Sequence, residues 1–289
     1  MSRGERVTDG VARGEEALQP PAAQAPRAGR APGGGLPGPP PAGEAKAEYV
    51  AGLFARIAPR YDLINNLMTA WQHGRWRRRT LDAVGSLPQP AAALDLCCGT
   101  GDFLLLLAER VGARGRLVGV DFCRPMLALA EARLGAAGVS DRAQFLEGDV
   151  TRLGALADES FDVATVGFGL RNVGDLDAAL REACRVLRPG GALASLDLTW
   201  PTRGPWGALA LFYLRWVLPA IARLAGARAE DYRWLRDSLG HFPDAGGLAA
   251  RLRAAGFTRV ETLRDGFGLV AIHVARKGKE EGGARAADA

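Results

Sequence analysis

The residues best suited to chemistry lie where a short apolar stretch runs directly into a glycine turn. Residues Leu94–Asp102 read Leu-Asp-Leu-Cys-Cys-Gly-Thr-Gly-Asp, and the apolar run Phe103–Leu107 follows. Gly99 and Gly101 allow the backbone to approach a ligand closely, and the helix that follows offers unpaired N–H groups. A second apolar stretch ends at Asp121, about 20 residues past the turn, where a carboxylate can bind the hydroxyls of a ribose. This spacing predicts a site for a nucleoside cofactor.

The elements that position this turn alternate between strands and helices. Further strands are predicted near 116–121, 143–149, 161–168 and 192–198. Helices are predicted between them near 124–137 and 175–187, the second ending at Pro189-Gly190-Gly191. This alternation predicts an α/β fold, a Rossmann-like doubly wound sheet that is mostly parallel and ends in an antiparallel hairpin near 258–275. Ligands bind at the carboxyl ends of such strands, so Asp149 should lie close to the turn.

The two ends of the chain differ in composition from its middle. Residues 1–44 are rich in Pro, Gly and Ala, which predicts a disordered tail, and a second disordered tail is expected at 279–289. The folded region is therefore placed at 45–278, with an N-terminal helical cap at 45–87 and an apolar insertion at about 204–240. The sequence shows neither a secretory signal nor a stretch of the ~20 apolar residues that a membrane span needs.

Charge and cysteine content narrow the class of protein. The 289 residues carry a net charge of +5, and the excess comes from scattered arginines, which gives no specific indication of a nucleic-acid partner. The four cysteines have neither a disulfide framework nor metal-ligand spacing, which favours a reducing, cytoplasmic setting and no metal. Cys97 and Cys98 are expected within the first strand, on opposite faces. The basic run Arg75–Arg79, flanked by Trp71, is interpreted either as a solvated helix end or as a contact with anionic lipid.

The details of the turn decide between nucleoside cofactors. The third glycine of a dinucleotide fingerprint is missing, and no Lys-Ser/Thr pair follows as in a P-loop. What remains is an acid-x-x-x-Gly-x-Gly turn that begins at Asp95, with further acids, Asp121 and Asp149, ending the next two strands. This set resembles the class I S-adenosylmethionine methyltransferases. The resemblance implies that the turn faces the amino-acid end of the cofactor, Asp121 binds the ribose and Asp149 approaches the adenine amine.

A second motif indicates a narrower family. Gly167–Val173 reads Gly-Phe-Gly-Leu-Arg-Asn-Val and resembles the motif of the menaquinone/ubiquinone C-methyltransferases, as does Tyr61-Asp62-x-x-Asn65. The similarity extends from residue 48 to about 276. It implies S-adenosylmethionine as the cofactor and methyl donor, bound by Thr100, Asp121, Asp149, Val150, Gly99 and Gly101. Three places depart from the family pattern: Cys97 replaces the usual first glycine, Gly167 replaces a common serine, and Asp197-Leu198-Thr199 replaces the more usual Glu-Phe-Ser.

The resemblance also implies a reaction. A prenylated quinol is methylated on a ring carbon, with conversion of demethylmenaquinol to menaquinol as the expected case and a ubiquinone-pathway benzoquinol as the alternative. The protein must position both reactants, move a proton and stabilise a developing phenolate. Arg171 is the candidate for the phenolate, because its charge is permanent. The cap supplies His73, Tyr61 and Asp62 as further catalytic candidates, and Asp197 is a second candidate base.

Two rival classes receive less support from the sequence. A nucleic-acid methyltransferase would need an Asn/Asp-Pro-Pro-Tyr/Phe motif or a Pro-Cys nucleophile, and neither is present. A non-catalytic partner subunit would not need the intact set of Thr100, Asp121 and Asp149. The expected location is the cytoplasm, with peripheral contact at the inner face of the cytoplasmic membrane, since the insertion could accommodate a prenyl tail. The oligomeric state, including a homo-oligomer, is left open.

Overall fold

The computed structural model describes residues 43–58, 65–66, 69, 71–200, 204–217, 220 and 238–279. Two of the catalytic candidates, Tyr61 and Asp62, lie outside the described residues. So do nearly all of the two expected tails and most of the second half of the insertion.

A single seven-stranded sheet organises the described chain. Its strands are β1 (Ala92–Leu96), β2 (Arg116–Asp121), β3 (Ala143–Glu147), β4 (Phe161–Gly167), β5 (Leu187–Leu198), β6 (Phe257–Asp265) and β7 (Val270–Lys277). They are arranged in the order β3-β2-β1-β4-β5-β7-β6. The first five strands run parallel to one another, and β7 is antiparallel to both β5 and β6. This confirms the predicted doubly wound sheet with its C-terminal hairpin.

Helices accompany the sheet. They are α1 (Gly43–Ile57), α2 (His73–Val84), α3 (Asp102–Ala108), α4 (Arg124–Ala136), α5 (Leu176–Val186), α6 (Pro205–Phe212) and α7 (Ala245–Ala254). The chain continues from α6 as a π-helical turn, Tyr213–Val217. Within the described residues, no helix combines the length and the apolarity that crossing a bilayer requires.

Two expectations at strand ends were wrong. The fifth strand begins at Leu187 rather than Ala192, because Leu187 pairs with Phe161 while Ala192 pairs with Val163. The residues between them form a bulge, so Pro189-Gly190-Gly191 interrupts the pairing inside a strand instead of ending a helix. The first strand ends at Leu96, so Cys97 does not continue its alternation. Cys97 instead has a left-handed backbone with φ of 52°.

Burial explains why β1 lies at the centre of the sheet. All five of its residues are buried, because β2 and β4 flank it and apolar clusters cover both faces. Such strands are almost continuously apolar, and Asp95 is the exception here. A carboxylate at this depth is costly unless it has hydrogen bonds or a ligand.

Helix α1 packs beside the carboxyl ends of the parallel strands. Val50 and Leu53 form a small buried cluster against which Phe54 and Phe122 pack. The Lys46 ammonium donates hydrogen bonds to the carbonyl oxygens of Arg171 (3.0 Å) and Val173 (2.8 Å). These contacts tie the N-terminal helix to the loop that follows β4.

Candidate active site

A cleft opens at the carboxyl ends of β1, β2 and β4, where the predicted cofactor site should lie. It encloses about 690 Å³, part of it open to solvent. Its walls come from five segments, namely α1, the glycine turn, the residues after β2, the residues after β3, and the loop after β4. The lining residues are Phe54, Cys97, Gly99, Asp121, Phe122, Met126, Asp149, Val150, Gly167, Phe168, Gly169, Asn172, Val173 and Gly174.

Asp121 braces the glycine turn as well as lining the cleft. Its Oδ2 accepts a hydrogen bond from the Gly99 N–H (2.8 Å), and its Oδ1 accepts one from the Cys123 N–H (2.9 Å). Burial raises the pKa of Asp121, and the backbone N–H groups of Cys123, Gly99 and Phe122 oppose that rise. Each carboxylate oxygen has a second lone pair, so Asp121 can still accept hydrogen bonds from a ligand in the cleft.

The other predicted cofactor residues are divided between two places. Asp149 and Val150 line the cleft, and Asp149 Oδ1 accepts a hydrogen bond from the Thr151 N–H at 2.9 Å. Phe54, Phe122 and Met126 add apolar walls, an environment that suits a flat aromatic base. Thr100 does not line this cleft, and its hydroxyl accepts a hydrogen bond from Arg133 Nη1 at 2.9 Å.

A smaller cavity of about 280 Å³ adjoins the cleft, and the two share Cys97, Gly99 and Gly167 on their walls. The cleft is lined mainly by apolar groups, with Asp121 and Asp149 as its charged side chains, whereas this cavity is mainly polar and holds a cation as well as acids. Its other lining residues are Arg77, Asp95, Cys98, Thr100, Asp102 and Phe103. The glycine turn therefore separates an apolar compartment from a polar one.

Asp95 begins the acid-x-x-x-Gly-x-Gly turn and lines the smaller cavity, although it was not among the predicted binding residues. It is buried, and Thr165 Oγ1 donates a hydrogen bond to its Oδ1 at 2.7 Å. Burial raises the pKa of Asp95 to about 8. An acid in the middle of an otherwise apolar buried strand was the signal that could have identified it.

This raised pKa makes stability depend on pH. The unfolded chain ionises Asp95 near its ordinary pKa, whereas the folded chain keeps it protonated up to about 8, so folding is penalised progressively as pH rises between those values. We expect Asp95→Asn to exceed the wild type in free energy of unfolding by about 1 kcal/mol or more at pH 8, and by much less near pH 4. Urea unfolding across this range measures the difference.

Asp141→Asn is the matched control, because Asp141 is exposed and lies at the far end of the sheet next to β3. It should leave the pH dependence unchanged. Parallel stability curves for Asp95→Asn and the wild type would contradict the assignment.

Arg77 and Asp102 form the charged part of the smaller cavity. Arg77 Nη2 lies 3.1 Å from Asp102 Oδ2, and Arg133 Nη2 lies 2.9 Å from Asp102 Oδ1. Burial alone would raise the pKa of Asp102, but these two guanidinium groups hold it below its ordinary value. Arg77 is only 5% exposed, so the run Arg75–Arg79 is not one continuous basic face.

His73 lies behind Arg77 rather than on the wall of either cavity. Its Nδ1 is 2.7 Å from Arg77 Nη1, and its Nε2 is 2.7 Å from Asn66 Oδ1. Because an arginine can only donate, Nδ1 is the acceptor and Nε2 carries the proton. This geometry suits a residue that orients Arg77. His73 lines neither cavity, so the structure gives no support to its expected role as proton carrier.

Arg171 reaches a carboxylate on the neighbouring strand. Its Nη1 donates to Asp197 Oδ1 at 2.6 Å and to the Phe168 carbonyl at 2.8 Å. Both side chains are largely buried, with exposed fractions of 11% and 3%. Within the described part of the chain, Arg171 Nε and Asp197 Oδ2 are buried without a hydrogen-bond partner. The structure thus pairs the phenolate candidate with the second candidate base.

The loop after β4 is tightly constrained. A Cβ added at Gly169 would lie 2.5 Å from the Cys97 Cβ, and one at Gly167 would lie 2.8 Å from the Phe103 ring. Phe168 between them has a left-handed backbone with φ of 58°. Its ring lies beneath two cations, 5.5 Å from Arg77 Cζ and 5.9 Å from Arg171 Cζ. Strain of this kind concentrates at functional sites.

Comparison with known proteins agrees with this geometry. The model of the ubiE/COQ5 methyltransferase family matches residues 42–277. Demethylmenaquinone methyltransferase of Geobacillus stearothermophilus is 36% identical over 81% of this chain and 99% of its own length. The enzyme of the same name from Lactiplantibacillus plantarum is 38% identical over 79% of this chain and 95% of its own.

Solved structures show the fold. An S-adenosylmethionine-dependent methyltransferase from Thermotoga maritima matches with a TM-score of 0.54 at 21% identity, over 78% of this chain and 99% of that one. The family match covers the whole described sheet together with both cavities around the glycine turn. The chain belongs to the ubiE/COQ5 methyltransferase family.

Proposed function

We propose that this protein transfers the methyl group of S-adenosylmethionine to a ring carbon of demethylmenaquinol, producing menaquinol. The observation that carries the proposal is the match to demethylmenaquinone methyltransferases along 95–99% of their length. The cleft supports it, because Asp121 at the end of β2 and Asp149 just past β3 line one compartment with the glycine turn. Because a prenylated quinol is held in lipid, the proposed enzyme is a cytoplasmic protein that binds transiently to the membrane surface.

The residues around the glycine turn fit the cofactor. Asp121 offers acceptor lone pairs for the ribose hydroxyls, and Asp149 can accept from the adenine amine beside Phe54 and Phe122. The polar cavity beyond the turn suits the amino-acid end. When bound, the cofactor supplies an electrophilic methyl group on a sulfonium sulfur.

The chain's own contribution to the chemistry lies in the pair of Arg171 and Asp197. Removal of a phenolic proton makes the quinol ring carbon nucleophilic, so a base and a cation near the phenol oxygen accelerate the reaction. In this proposal the proton is accepted by Asp197 Oδ2, which is buried and has no hydrogen-bond partner among the described residues. Arg171 holds the other oxygen of the same carboxylate and supplies positive charge next to the developing phenolate.

A direct test supplies the purified protein with S-adenosylmethionine labelled in the methyl group. Demethylmenaquinol and a ubiquinone-pathway benzoquinol lacking its ring methyl are offered separately. We expect label in the naphthoquinol product and at least about a tenfold preference for that substrate, a difference of about 1.4 kcal/mol. Preference for the benzoquinol would shift the proposal to the ubiquinone branch. Absence of label from both quinols would contradict it.

Contact with the membrane is the second part of the proposal, because a prenylated quinol is held in lipid. Four large apolar side chains on α6, the π-helical turn and the 266–268 turn are 49–63% exposed, namely Leu209, Phe212, Trp216 and Phe267. Helix α6 contacts the 266–268 turn, so these side chains belong to adjoining elements. Exposed Arg75 and Arg78 provide positive charge for anionic headgroups.

We expect the double variant Phe212→Ser/Trp216→Ser to bind phosphatidylglycerol-containing vesicles at least about fivefold more weakly than the wild type. The reason is that each aromatic side chain transferred into the interface contributes up to about 1.5–3 kcal/mol. Vesicle sedimentation gives the bound fraction. Leu129→Ser is the matched control, because Leu129 is also an exposed apolar residue, 38% accessible, but lies on α4. Equal binding by all three proteins would contradict the membrane contact.

A further inference from the structure

We propose that Arg77 binds the α-carboxylate of the cofactor's methionine moiety, and that His73 and Asp102 position it for this task. The inference rests on the proposed function, because it assumes that S-adenosylmethionine is the cofactor. It assigns to the basic helix α2 a binding role that its run of arginines does not reveal.

Position is the first support. Arg77 lines the 280 Å³ cavity that continues from the cleft past the glycine turn. Its Nε lies 3.8 Å from the position that a Cβ would take on Gly167, and Gly167 is on the wall of both cavities. The Nε edge of the guanidinium therefore faces the passage between the two compartments.

The hydrogen-bond inventory of the guanidinium is the second support. Nη1 is engaged by His73 and Nη2 by Asp102, and the rings of Phe103 and Phe168 lie 5.7 Å and 5.5 Å from Cζ. Nε is buried and has no hydrogen-bond partner among the described residues. A buried donor without a partner costs desolvation free energy. A ligand that accepts a hydrogen bond from Nε would recover that free energy.

Charge is the third support. The guanidinium groups of Arg77 and Arg133 both lie against the carboxylate of Asp102. An anionic group that enters the cavity would be attracted by the permanent charge of Arg77, which lines its wall. Planar guanidinium groups recognise carboxylates with matched geometry, which makes a carboxylate the best-fitting anion.

A second residue on the wall of this cavity completes the recognition of an amino acid. Asp95 lines the same cavity, and its Oδ1 is held by the Thr165 hydroxyl. Burial raises the pKa of Asp95, and a ligand ammonium group beside it would lower that pKa again, because a positive charge favours the ionised acid. An ionised Asp95 and Arg77 in one small cavity are complementary to a group that carries both an ammonium and a carboxylate. The methionine end of the cofactor is such a group, and its adenosine end lies on the other side of the same turn in the proposed mode.

His73 has a defined part in this arrangement. Its Nε2–H donates to Asn66 Oδ1, and its Nδ1 accepts from Arg77. The imidazole therefore fixes one edge of the guanidinium while Asp102 fixes another. His73 is a positioning residue here, since it touches neither cavity.

The test compares two ligands that differ only in the carboxylate. S-adenosylhomocysteine and its decarboxylated analogue, S-adenosyl-3-thiopropylamine, are titrated calorimetrically into the wild type, Arg77→Gln, Arg77→Lys and the control Arg79→Gln. Arg79 lies on the same helix and is paired with Asp265 outside both cavities. Thermal unfolding of each protein with and without ligand verifies that every variant is folded.

We expect the wild type and Arg79→Gln to bind S-adenosylhomocysteine at least about tenfold more tightly than the decarboxylated analogue, as one charged hydrogen-bonding partner implies. In Arg77→Gln this ratio should fall to about threefold or less, with affinity for the analogue nearly unchanged. Arg77→Lys should give an intermediate ratio, because it retains the charge without the Nε edge. This readout is a ratio between ligands, so a general loosening of the fold would not produce it.

Other outcomes overturn the inference. Equal weakening of both ligands in Arg77→Gln would make Arg77 a structural partner of Asp102 only. An unchanged ratio in both Arg77 variants would place the carboxylate elsewhere. If the wild type binds neither ligand, the proposed cofactor itself is wrong, and the inference fails with it.

Discussion

Replacing Arg171 with alanine should lower kcat for quinol methylation by about two orders of magnitude while changing the Kd for S-adenosylhomocysteine less than about threefold. The same substitution should lower the free energy of unfolding by about 3–5 kcal/mol, because it leaves the buried Asp197 carboxylate without its partner. Steady-state kinetics, calorimetry and urea unfolding on one preparation measure the three quantities. The large expected effect on stability makes a second variant necessary.

The double variant Arg171→Ala/Asp197→Asn separates chemistry from folding. It removes both charges, so we expect it to regain most of the lost stability, since a buried pair contributes little net stability relative to neutral residues. Turnover should stay as low as in Arg171→Ala, because neither the base nor the cation is restored. Recovery of turnover together with stability would show that the pair serves only to fix the loop after β4.

Replacing Asp121 with alanine should weaken the binding of S-adenosylmethionine by at least about tenfold, the loss of one charged hydrogen-bonding partner. The substitution removes two things at once, because the carboxylate both faces the cleft and holds the N–H groups of Gly99 and Cys123. Calorimetric titration measures the affinity, and Asp141→Ala serves as the exposed control. Unchanged affinity would contradict the ribose assignment.

Asp121→Asn distinguishes the two contributions. The asparagine retains one carbonyl oxygen that can accept from a backbone N–H, but its amide nitrogen cannot accept from the other. We therefore expect affinity between those of the wild type and Asp121→Ala. The same loss in the Asn and Ala variants would indicate that the single backbone contact kept by the asparagine contributes little to affinity.

The fold could be predicted from the sequence because its strands are apolar, short and separated by clear helix and turn signals. The predicted second strand, 116–121, agrees with the structure at both ends. The fifth strand was misjudged, because a bulge depends on pairing with a distant partner strand that the local sequence does not specify. Cys97 was misassigned for a related reason, since a left-handed cysteine is uncommon and is stabilised by its surroundings.

Residues of the candidate site could be predicted only where an acidic residue lies at or just after the carboxyl end of a strand. Asp121 and Asp149 were found in this way, whereas the pairing of Arg171 with Asp197 joins residues far apart in sequence. Arg77 was overlooked among its basic neighbours, although helical periodicity places it on one face with Leu81 and Val84, both buried. Helical periodicity can therefore identify the buried arginine within such a run, which the net charge of the run cannot do.

The hydrogen bonds of Lys46 have a consequence for the timing of the catalytic cycle. They link α1 to the loop that carries Arg171, and the same helix supplies Phe54 to the cleft wall. A bond from a charged donor contributes about 1.5–3 kcal/mol, and α1 separates from this loop only when both are broken. We therefore expect a ligand that leaves past Phe54 to dissociate more slowly while these two hydrogen bonds hold α1 against the loop.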